Sequence, residues 1–185
     1  LGAAGLDAPG YDLLAGLTGS EVLLGVILEV SVKLLPKPDH TEVALAAFSD
    51  IRAAGSAVAA VIASGVIPAG LEMMDRLAIE AAEQYAGAGY PPEAAAILIC
   101  ELDGVRGDVD DQMQRVDQLL REAGAYMINV AGDDQERQRY WAGRKAAFPA
   151  IGRIAPDYYC MDGTIPRRAL TEVLSEIARL SEHYD

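Results

Sequence analysis

Short apolar runs alternate with longer amphipathic runs between residues 42 and 180, and this alternation restricts the possible folds more than any other feature. Apolar runs of about four to eight residues are typical of strands, whereas apolar residues at three- and four-residue spacing are typical of helices. The strand-length runs are Glu42–Phe48, Ile67–Met73, Ala94–Leu102 and Tyr126–Val130. One helical run follows each of the candidate N-caps Ser49 and Asp75. Three more cover Val105–Leu120, the segment from Asp133 or Asp134 to about Phe148, and Leu170–Leu180.

This order of strands and helices is compatible with two fold classes. It permits a doubly wound parallel sheet, although no strand leads into a glycine-rich phosphate-binding loop. An α+β fold of the ferredoxin-like type, with helices on one face of an antiparallel sheet, accounts for the short strands equally well. Periodicity reports the burial of a segment but not its neighbours in a sheet, so the pattern leaves both classes open.

The segment before residue 39 differs from the rest of the chain. Apolar residues alternate with mixed ones along Val26–Leu35, which predicts a half-buried strand. Pro36 and Pro38 end this strand, because proline cannot donate a ladder hydrogen bond. We therefore expect two domain portions, residues 1–38 and residues 39–185.

A glycine-rich stretch, Gly10–Gly25, precedes the predicted strand. It predicts loops with one helical turn near Leu13–Leu17. Within it, the run from Gly16 through Gly19 to Glu21 can bring exposed backbone N–H groups close to a phosphate or a flavin. An ordinary glycine turn explains the same residues, so this pattern alone assigns no ligand.

The charge balance excludes several kinds of partner. The chain has 185 residues, with 15 Lys and Arg against 28 Asp and Glu, and its formal net charge is −13. Such a charge disfavours nucleic acids and anionic lipid surfaces, which are bound through clustered cations. The charge-free segment Ala53–Leu71 is interrupted by Gly65 and Pro68, so no transmembrane segment is predicted. Cys100 and Cys160 form neither a disulfide framework nor a zinc motif, which favours a cytoplasmic location.

Few side chains have the pattern of a reactive or metal-binding site. His40 and His183 have no second ligand at helical spacing, so we predict surface imidazoles and no metal site. Cys100 lies in an apolar run and is predicted to pack in the core. Cys160 lies beside Asp162 in a polar stretch and is less clearly assigned.

Arg144 follows the single tryptophan, Trp141, by three residues, which predicts that both lie on one helix face. A guanidinium in this position either packs over aromatic rings or a helix C-terminus, or binds a carboxylate through two parallel hydrogen bonds. The spacing alone leaves both interpretations open.

Several longer motifs together resemble one enzyme family. They are Gly10-Tyr-Asp-Leu13, Gly19-Ser-Glu21, Leu24-Gly-Val-Ile27, Gly70-Leu-Glu-Met-Met-Asp75, Glu101-Leu-Asp-Gly104, Trp141-Ala-Gly-Arg-Lys145 and Pro156-Asp-Tyr-Tyr-Cys-Met-Asp-Gly163. On these motifs the chain resembles the FAD-linked oxidases of the vanillyl-alcohol-oxidase type, and most strongly the FAD-linked subunit of glycolate oxidases. D-lactate and D-2-hydroxyglutarate dehydrogenases are relatives within the same family.

The resemblance implies a fold and a cofactor. Residues 1–38 would be the end of an FAD-binding domain, and residues 39–185 most of a substrate-binding or cap domain. In this family the cap domain is α+β, with a ferredoxin-like antiparallel sheet, which favours one of the two classes left open above. The FAD site would include Gly19, Ser20, Glu21, Gly25 and Tyr11.

The resemblance also implies an activity, the oxidation of a small 2-hydroxy acid, glycolate or D-lactate, to the 2-oxo acid. Arg144 would bind the substrate carboxylate, with Cys160 and Asp162 also in the substrate site. The hydroxyglutarate dehydrogenases have a lysine near the position of Cys160, so the thiol favours a substrate with one carboxylate. The partners implied are a second flavoprotein-like subunit and an iron–sulfur subunit, with a cytoplasmic location peripheral to the inner membrane.

Two departures from the family pattern affect these expectations. Val22 and Leu23 stand where the family has a glycine and a threonine, and their side chains would crowd a backbone that must approach the flavin. The family's His-rich motif, with ligands for a divalent metal, is expected beyond Asp185, so this chain alone is expected to be inactive. A non-catalytic binding or interaction domain that kept the same fold is the alternative function.

Overall fold

The computed structural model describes residues 10–184 and divides into two compact units, Leu1–Lys37 and Pro38–Asp185. In the first unit, helix α1 covers Leu13–Leu17, as predicted, and the side chain of Asp12 caps it by accepting a hydrogen bond from the Ala15 N–H at 2.9 Å. The predicted strand over residues 26–35 is wrong for this structure, which assigns no strand there. A strand needs a ladder partner, and residues 10–37 contain no second strand to supply one.

The second unit contains four strands and five longer helices. Their bounds are β1 His40–Phe48, α2 Ile51–Ala63, β2 Gly70–Asp75, α3 Arg76–Ala86, β3 Ala96–Gly104, α4 Arg106–Glu122, β4 Met127–Val130, α5 Asp134–Ile154 and α6 Leu170–Tyr184, the last preceded by a short 3₁₀ turn at Arg167–Ala169. Every predicted strand and helix of this unit is present, with β2 and β3 beginning two or three residues later than predicted. Within the described residues, no helix is both long enough and apolar enough to cross a membrane.

The four strands form one sheet in the order β2-β3-β1-β4, and all neighbouring strands are antiparallel. Ala44 of β1 pairs with Cys100 of β3 on one side and with Val130 of β4 on the other. Each of the connections β1-α2-β2 and β3-α4-β4 therefore joins two parallel strands that have a third strand between them. This interleaving is the ferredoxin-like arrangement, so the α+β prediction is confirmed and the parallel sheet is excluded.

Helices cover both faces of the sheet, which corrects the expectation of helices on one face. Helices α2 and α4 pack on the face of Leu98 and Cys100, and α3 and α5 pack on the face of Ile97 and Ile99. The reason is visible in β1, where Val43–Phe48 is buried without interruption. A strand whose side chains are buried on both faces needs a layer of helices on each side.

Aspartates at the N-caps begin three of these helices. The side chains of Asp50, Asp75 and Asp133 accept backbone N–H hydrogen bonds at 2.8–2.9 Å, each two or three residues into the helix. The predicted cap Ser49 is therefore wrong by one residue, because its neighbour Asp50 accepts the hydrogen bond. Helix α5 also continues past its predicted end at Phe148, through Pro149, to Ile154.

Candidate functional site

Helix α5 is tied to the sheet by its tryptophan. The Trp141 indole donates a hydrogen bond from Nε1 to the Glu101 Oε2 on β3 at 2.7 Å. The aromatic ring lies against the backbone of Gly70, the residue that pairs with Glu101 in the register. A Cβ at Gly70 would be 3.0 Å from the Trp141 ring carbon Cη2, so glycine at this position allows the ring to lie on the strand.

Arg144, one helical turn further along α5, makes the second connection to the sheet. Its Nε donates a hydrogen bond to the Glu72 Oε2 on β2 at 3.0 Å. The side chain of Arg144 is 35% exposed and that of Glu72 is 41% exposed, so this ion pair lies at the surface of the domain. The structure therefore confirms that Arg144 and Trp141 share a helix face. Of the two interpretations that the spacing left open for Arg144, the described residues show neither aromatic nor helix-terminal packing, and the hydrogen-bond partner is a carboxylate of the protein itself.

Close packing of α5 against the loop after α3 sets the position of both side chains. Gly143 lies between Trp141 and Arg144, and a Cβ there would be 2.5 Å from the Tyr90 hydroxyl oxygen. Tyr90 is buried and donates a hydrogen bond to the backbone carbonyl of Tyr140, and burial raises the pKa of the Tyr90 hydroxyl far above its ordinary value. The backbone of α5 at Gly143 therefore lies in direct contact with this loop, next to Arg144.

The first turns of α5 are held by a carboxylate. Glu136 accepts hydrogen bonds from the Gly132 N–H at 3.0 Å and from the Tyr140 hydroxyl at 2.9 Å. These two bonds, the backbone one first, lower the pKa of the Glu136 carboxyl below its ordinary value. Asn129 at the end of β4 also donates to Glu136, at 3.1 Å, and so connects the helix to the opposite edge of the sheet.

A shallow depression of about 420 Å³ lies along the exposed side of Trp141. It is lined by Glu101, Arg137, Gln138, Trp141, Ala142 and Lys145. Arg137 and Lys145 bring positive charge to this surface, while Glu101 contributes a carboxylate and Arg137 is ion-paired with Asp134 at 3.1 Å.

The other predicted substrate residues lie outside regular structure. Cys160 and Asp162 are exposed and belong to the segment between α5 and α6, where the structure assigns no strand. Within residues 10–184 neither side chain makes a hydrogen bond or ion pair, so no polar contact joins either one to Arg144. Their assignment to the substrate site stays a prediction.

Cys100 lies in β3 and is fully buried, as predicted. Burial raises the pKa of its thiol to about 12, with a smaller contribution from the neighbouring Glu101. A buried thiol with a raised pKa is typical of a cysteine that packs in the core.

The predicted flavin-binding loop lies in the first unit. Gly19 has a φ of +77° with no atom within 4 Å of the position of a Cβ, so a ligand can approach its backbone. Ser20 donates its backbone N–H to the Leu17 carbonyl at 3.1 Å, and Gly25 lies beside the Leu17 side chain. Tyr11 is 96% exposed. An open glycine turn of this kind fits a loop whose backbone contacts a flavin.

Glu21 and Val22 both adopt left-handed backbone conformations, with φ values of 47° and 71°. Such a φ is a strained conformation for a β-branched residue such as valine and an unstrained one for glycine. Val22 therefore holds a backbone conformation that a glycine adopts more readily.

In the second unit His40 lies beside two carboxylates, an arrangement that the sequence did not predict. His40 is only 16% exposed, which corrects the prediction of a surface imidazole. Its Nε2 lies 3.2 Å from the Glu42 Oε1 and 3.9 Å from the Asp110 Oδ1. Two-residue spacing on a strand puts His40 and Glu42 on one face, but Asp110 comes from α4 and joins them only through the fold.

Comparison with known proteins extends these observations. Over all 185 residues the chain is 61% identical to the glycolate oxidase subunit GlcD of Escherichia coli strain K12, and it covers 37% of that protein. It is 33% identical to the Bacillus subtilis protein of the same description over 179 residues, 97% of this chain and 38% of the relative. It is 29% identical to the mitochondrial D-lactate dehydrogenase [cytochrome] of Arabidopsis thaliana over 171 residues, 91% of this chain and 30% of the relative. The chain thus spans between 30% and 38% of the length of these relatives.

A solved structure and a family model agree with this result. The structure of alkyldihydroxyacetonephosphate synthase matches 80% of this chain, and 32% of its own, with a TM-score of 0.58 at 17% identity, which supports the fold alone. The model of the family "FAD linked oxidases, C-terminal domain" matches residues 37–185, which include the whole sheet and the ion pairs of α5. The chain belongs to the family of FAD-linked oxidases through their C-terminal domain.

Proposed function

We propose that the complete protein containing this chain is an FAD-dependent oxidoreductase that oxidises a small 2-hydroxy acid, glycolate or D-lactate, to the 2-oxo acid. The observation that carries this proposal is the position of Arg144 on α5, where its side chain is 35% exposed and, within the described residues, only its Nε is bound, to Glu72 of β2. Identity of 61% to a glycolate oxidase subunit over the whole chain supports the same activity.

In this proposal Arg144 binds the substrate carboxylate through its two terminal nitrogens. A planar guanidinium matches a carboxylate with two parallel hydrogen bonds, so it orients the substrate as well as binding it. Cys160 and Asp162 belong to the same substrate site, and the uncharged thiol of Cys160 favours a substrate with a single carboxylate. FAD, when bound by the loop of Tyr11, Gly19–Glu21 and Gly25, supplies the acceptor for the hydride that leaves the substrate.

Arg144→Ala in the complete protein tests this assignment. We expect kcat/KM for glycolate and D-lactate to fall by about 100-fold, because two hydrogen bonds between charged groups are lost. Arg153→Ala is the matched control, since Arg153 lies on the same helix, 4.2 Å over the Tyr85 ring, and has no assigned role in binding. Unchanged kinetics in the Arg144 variant would remove it from the substrate site.

Flavin content separates this proposal from the alternative of a non-catalytic binding domain, which the strained Val22 favours. The complete protein is expected to purify with flavin absorbance, and a colourless, inactive product would support the binding domain.

We further propose that the complete protein acts with a second flavoprotein-like subunit and an iron–sulfur subunit, in the cytoplasm and peripheral to the inner membrane. The description of the Escherichia coli relative as a subunit supports an assembly, and co-purification tests it.

A further inference from the structure

Two carboxylates on neighbouring strands face helix α5, in positions where an apolar side chain is expected. Glu72 and Glu101 share the sheet face of Met74, Ile97 and Ile99, which are all in the core beneath α3 and α5. Both carboxylates lie at the edge of this core, and the Glu72 side chain is 41% exposed. Each of the two is paired with a side chain of α5 on the same helix face, Trp141 with Glu101 and Arg144 with Glu72.

The two contacts reinforce each other geometrically. Gly70 pairs with Glu101 in the register, and Glu72 follows Gly70 by two residues on the same face of β2. The Trp141 ring lies on Gly70, so it fixes α5 along the sheet at the position where Arg144 reaches Glu72. At this position of the helix the Glu72 carboxylate is within hydrogen-bond distance of the Arg144 side chain.

The nitrogen that Glu72 uses determines what Arg144 can still do. The bond is made by Nε alone, and within residues 10–184 it is the only hydrogen bond of the Arg144 side chain. A guanidinium has five N–H donors in one plane, and occupying Nε leaves the edge formed by the two terminal nitrogens free. A carboxylate that competed with substrate would occupy that free edge, whereas Glu72 leaves it open.

From this geometry we propose that Glu72 is a positioning residue that holds Arg144 by Nε and presents its terminal edge to the substrate carboxylate. The inference rests on the proposed function, since it assumes that Arg144 binds substrate. Glu72 itself contacts the arginine and not the substrate. Without this orientation the two hydrogen bonds to the substrate carboxylate are poorly aligned, so the loss of Glu72 has a measurable effect on binding.

The test compares Glu72→Ala, Glu72→Gln and Arg144→Ala in the complete protein, with glycolate kinetics and equilibrium binding of glyoxylate, the 2-oxo acid product. Glu72→Ala is expected to raise KM and the Kd for glyoxylate by about tenfold or more and to change kcat less, because the lost orientation affects binding throughout the reaction. Glu72→Gln keeps an acceptor oxygen for Nε and is expected to restore binding to within a few-fold. Glu80→Ala, an exposed glutamate on α3 without a partner among the described residues, is the control.

A double-mutant cycle separates positioning from a purely structural role. In the Arg144→Ala background, Glu72→Ala is expected to cause no further loss of glyoxylate binding, because the residue that it positions is gone. An equal loss in both backgrounds, or no rescue by Glu72→Gln in a folded protein, would overturn the proposal. If Arg144→Ala itself leaves binding unchanged, the proposed function fails. If Arg144→Ala weakens binding and Glu72→Ala does not, the positioning inference alone fails.

Discussion

Gly143 lies where α5 meets the loop after α3, and replacing it with alanine tests the packing that holds the candidate site. A Cβ at this position would be 2.5 Å from the Tyr90 hydroxyl oxygen and 2.6 Å from its Cζ, and would overlap the Ala88 methyl group. Ala88 and Tyr90 are 1% and 2% exposed, so neither can move aside into solvent. The helix must therefore shift away from the loop.

The expected loss of stability has two parts. Overpacking a well-packed site costs about 1–3 kcal/mol. Displacing the Tyr90 ring leaves its buried hydroxyl without the acceptor that the Tyr140 carbonyl provides, which costs about 1–3 kcal/mol more. Alanine recovers about 1 kcal/mol of helix propensity relative to glycine. We expect Gly143→Ala to lower the free energy of unfolding by about 3 kcal/mol.

Urea unfolding of the 185-residue chain, followed by the fluorescence of its single tryptophan, measures this change. With an m-value of about 2 kcal/mol/M, the midpoint is expected to fall by about 1.5 M. Gly107→Ala on α4 is the matched control, because nothing lies within 4 Å of its Cβ position. That control is expected to gain up to about 1 kcal/mol. A Gly143→Ala variant as stable as the unmodified chain would refute the packing argument.

Two further predictions follow from the pKa shifts in the same domain. At pH 8 the native chain is expected to react rapidly with Ellman's reagent only at the exposed Cys160, because burial raises the pKa of the Cys100 thiol to about 12. The second thiol is expected to react only after unfolding in urea. Two rapid equivalents in the native chain would contradict this, as would the absence of reaction in an unfolded Cys160→Ser control. For Glu136, hydrogen bonds lower the carboxyl pKa in the folded state below its ordinary value of 4.5, so its stabilising contribution is present above that pH and is lost as the pH falls through the folded-state pKa. The difference in urea midpoint between the unmodified chain and Glu136→Gln is therefore expected to be larger at pH 7 than at pH 3, and a difference independent of pH would show that the charge of Glu136 has no role.

Much of the second unit could be predicted from local pattern. The strand and helix order was correct because the period of apolar residues differs between the two structures and depends only on nearby residues. A helix start was predictable where one residue type is favoured, as at Asp75, which caps α3. The errors at Ser49 and Phe148 lie at helix boundaries, where a neighbouring residue can take over the cap or packing can continue the helix.

The candidate site was only half predictable. Arg144 and Trp141 are three residues apart, so their common helix face could be derived from spacing. The two-residue period of β2 puts Glu72 on the same face as Met74, so its position facing a helix could be derived from the strand pattern. The identity of its partner could not be derived, because 72 residues separate Glu72 from Arg144 in the chain.

The sequence by itself determined which segments are strands or helices and which side of each is apolar, because both properties follow from the chain's local periodicity. Only the tertiary structure decided the sheet order β2-β3-β1-β4, the second layer of helices, and the meeting of His40 with Asp110 and of Arg144 with Glu72. The physical reason is that a buried strand accepts hydrogen bonds from any strand of suitable length, so pairing is chosen by the packing of all the elements together. Charged partners then follow from that pairing.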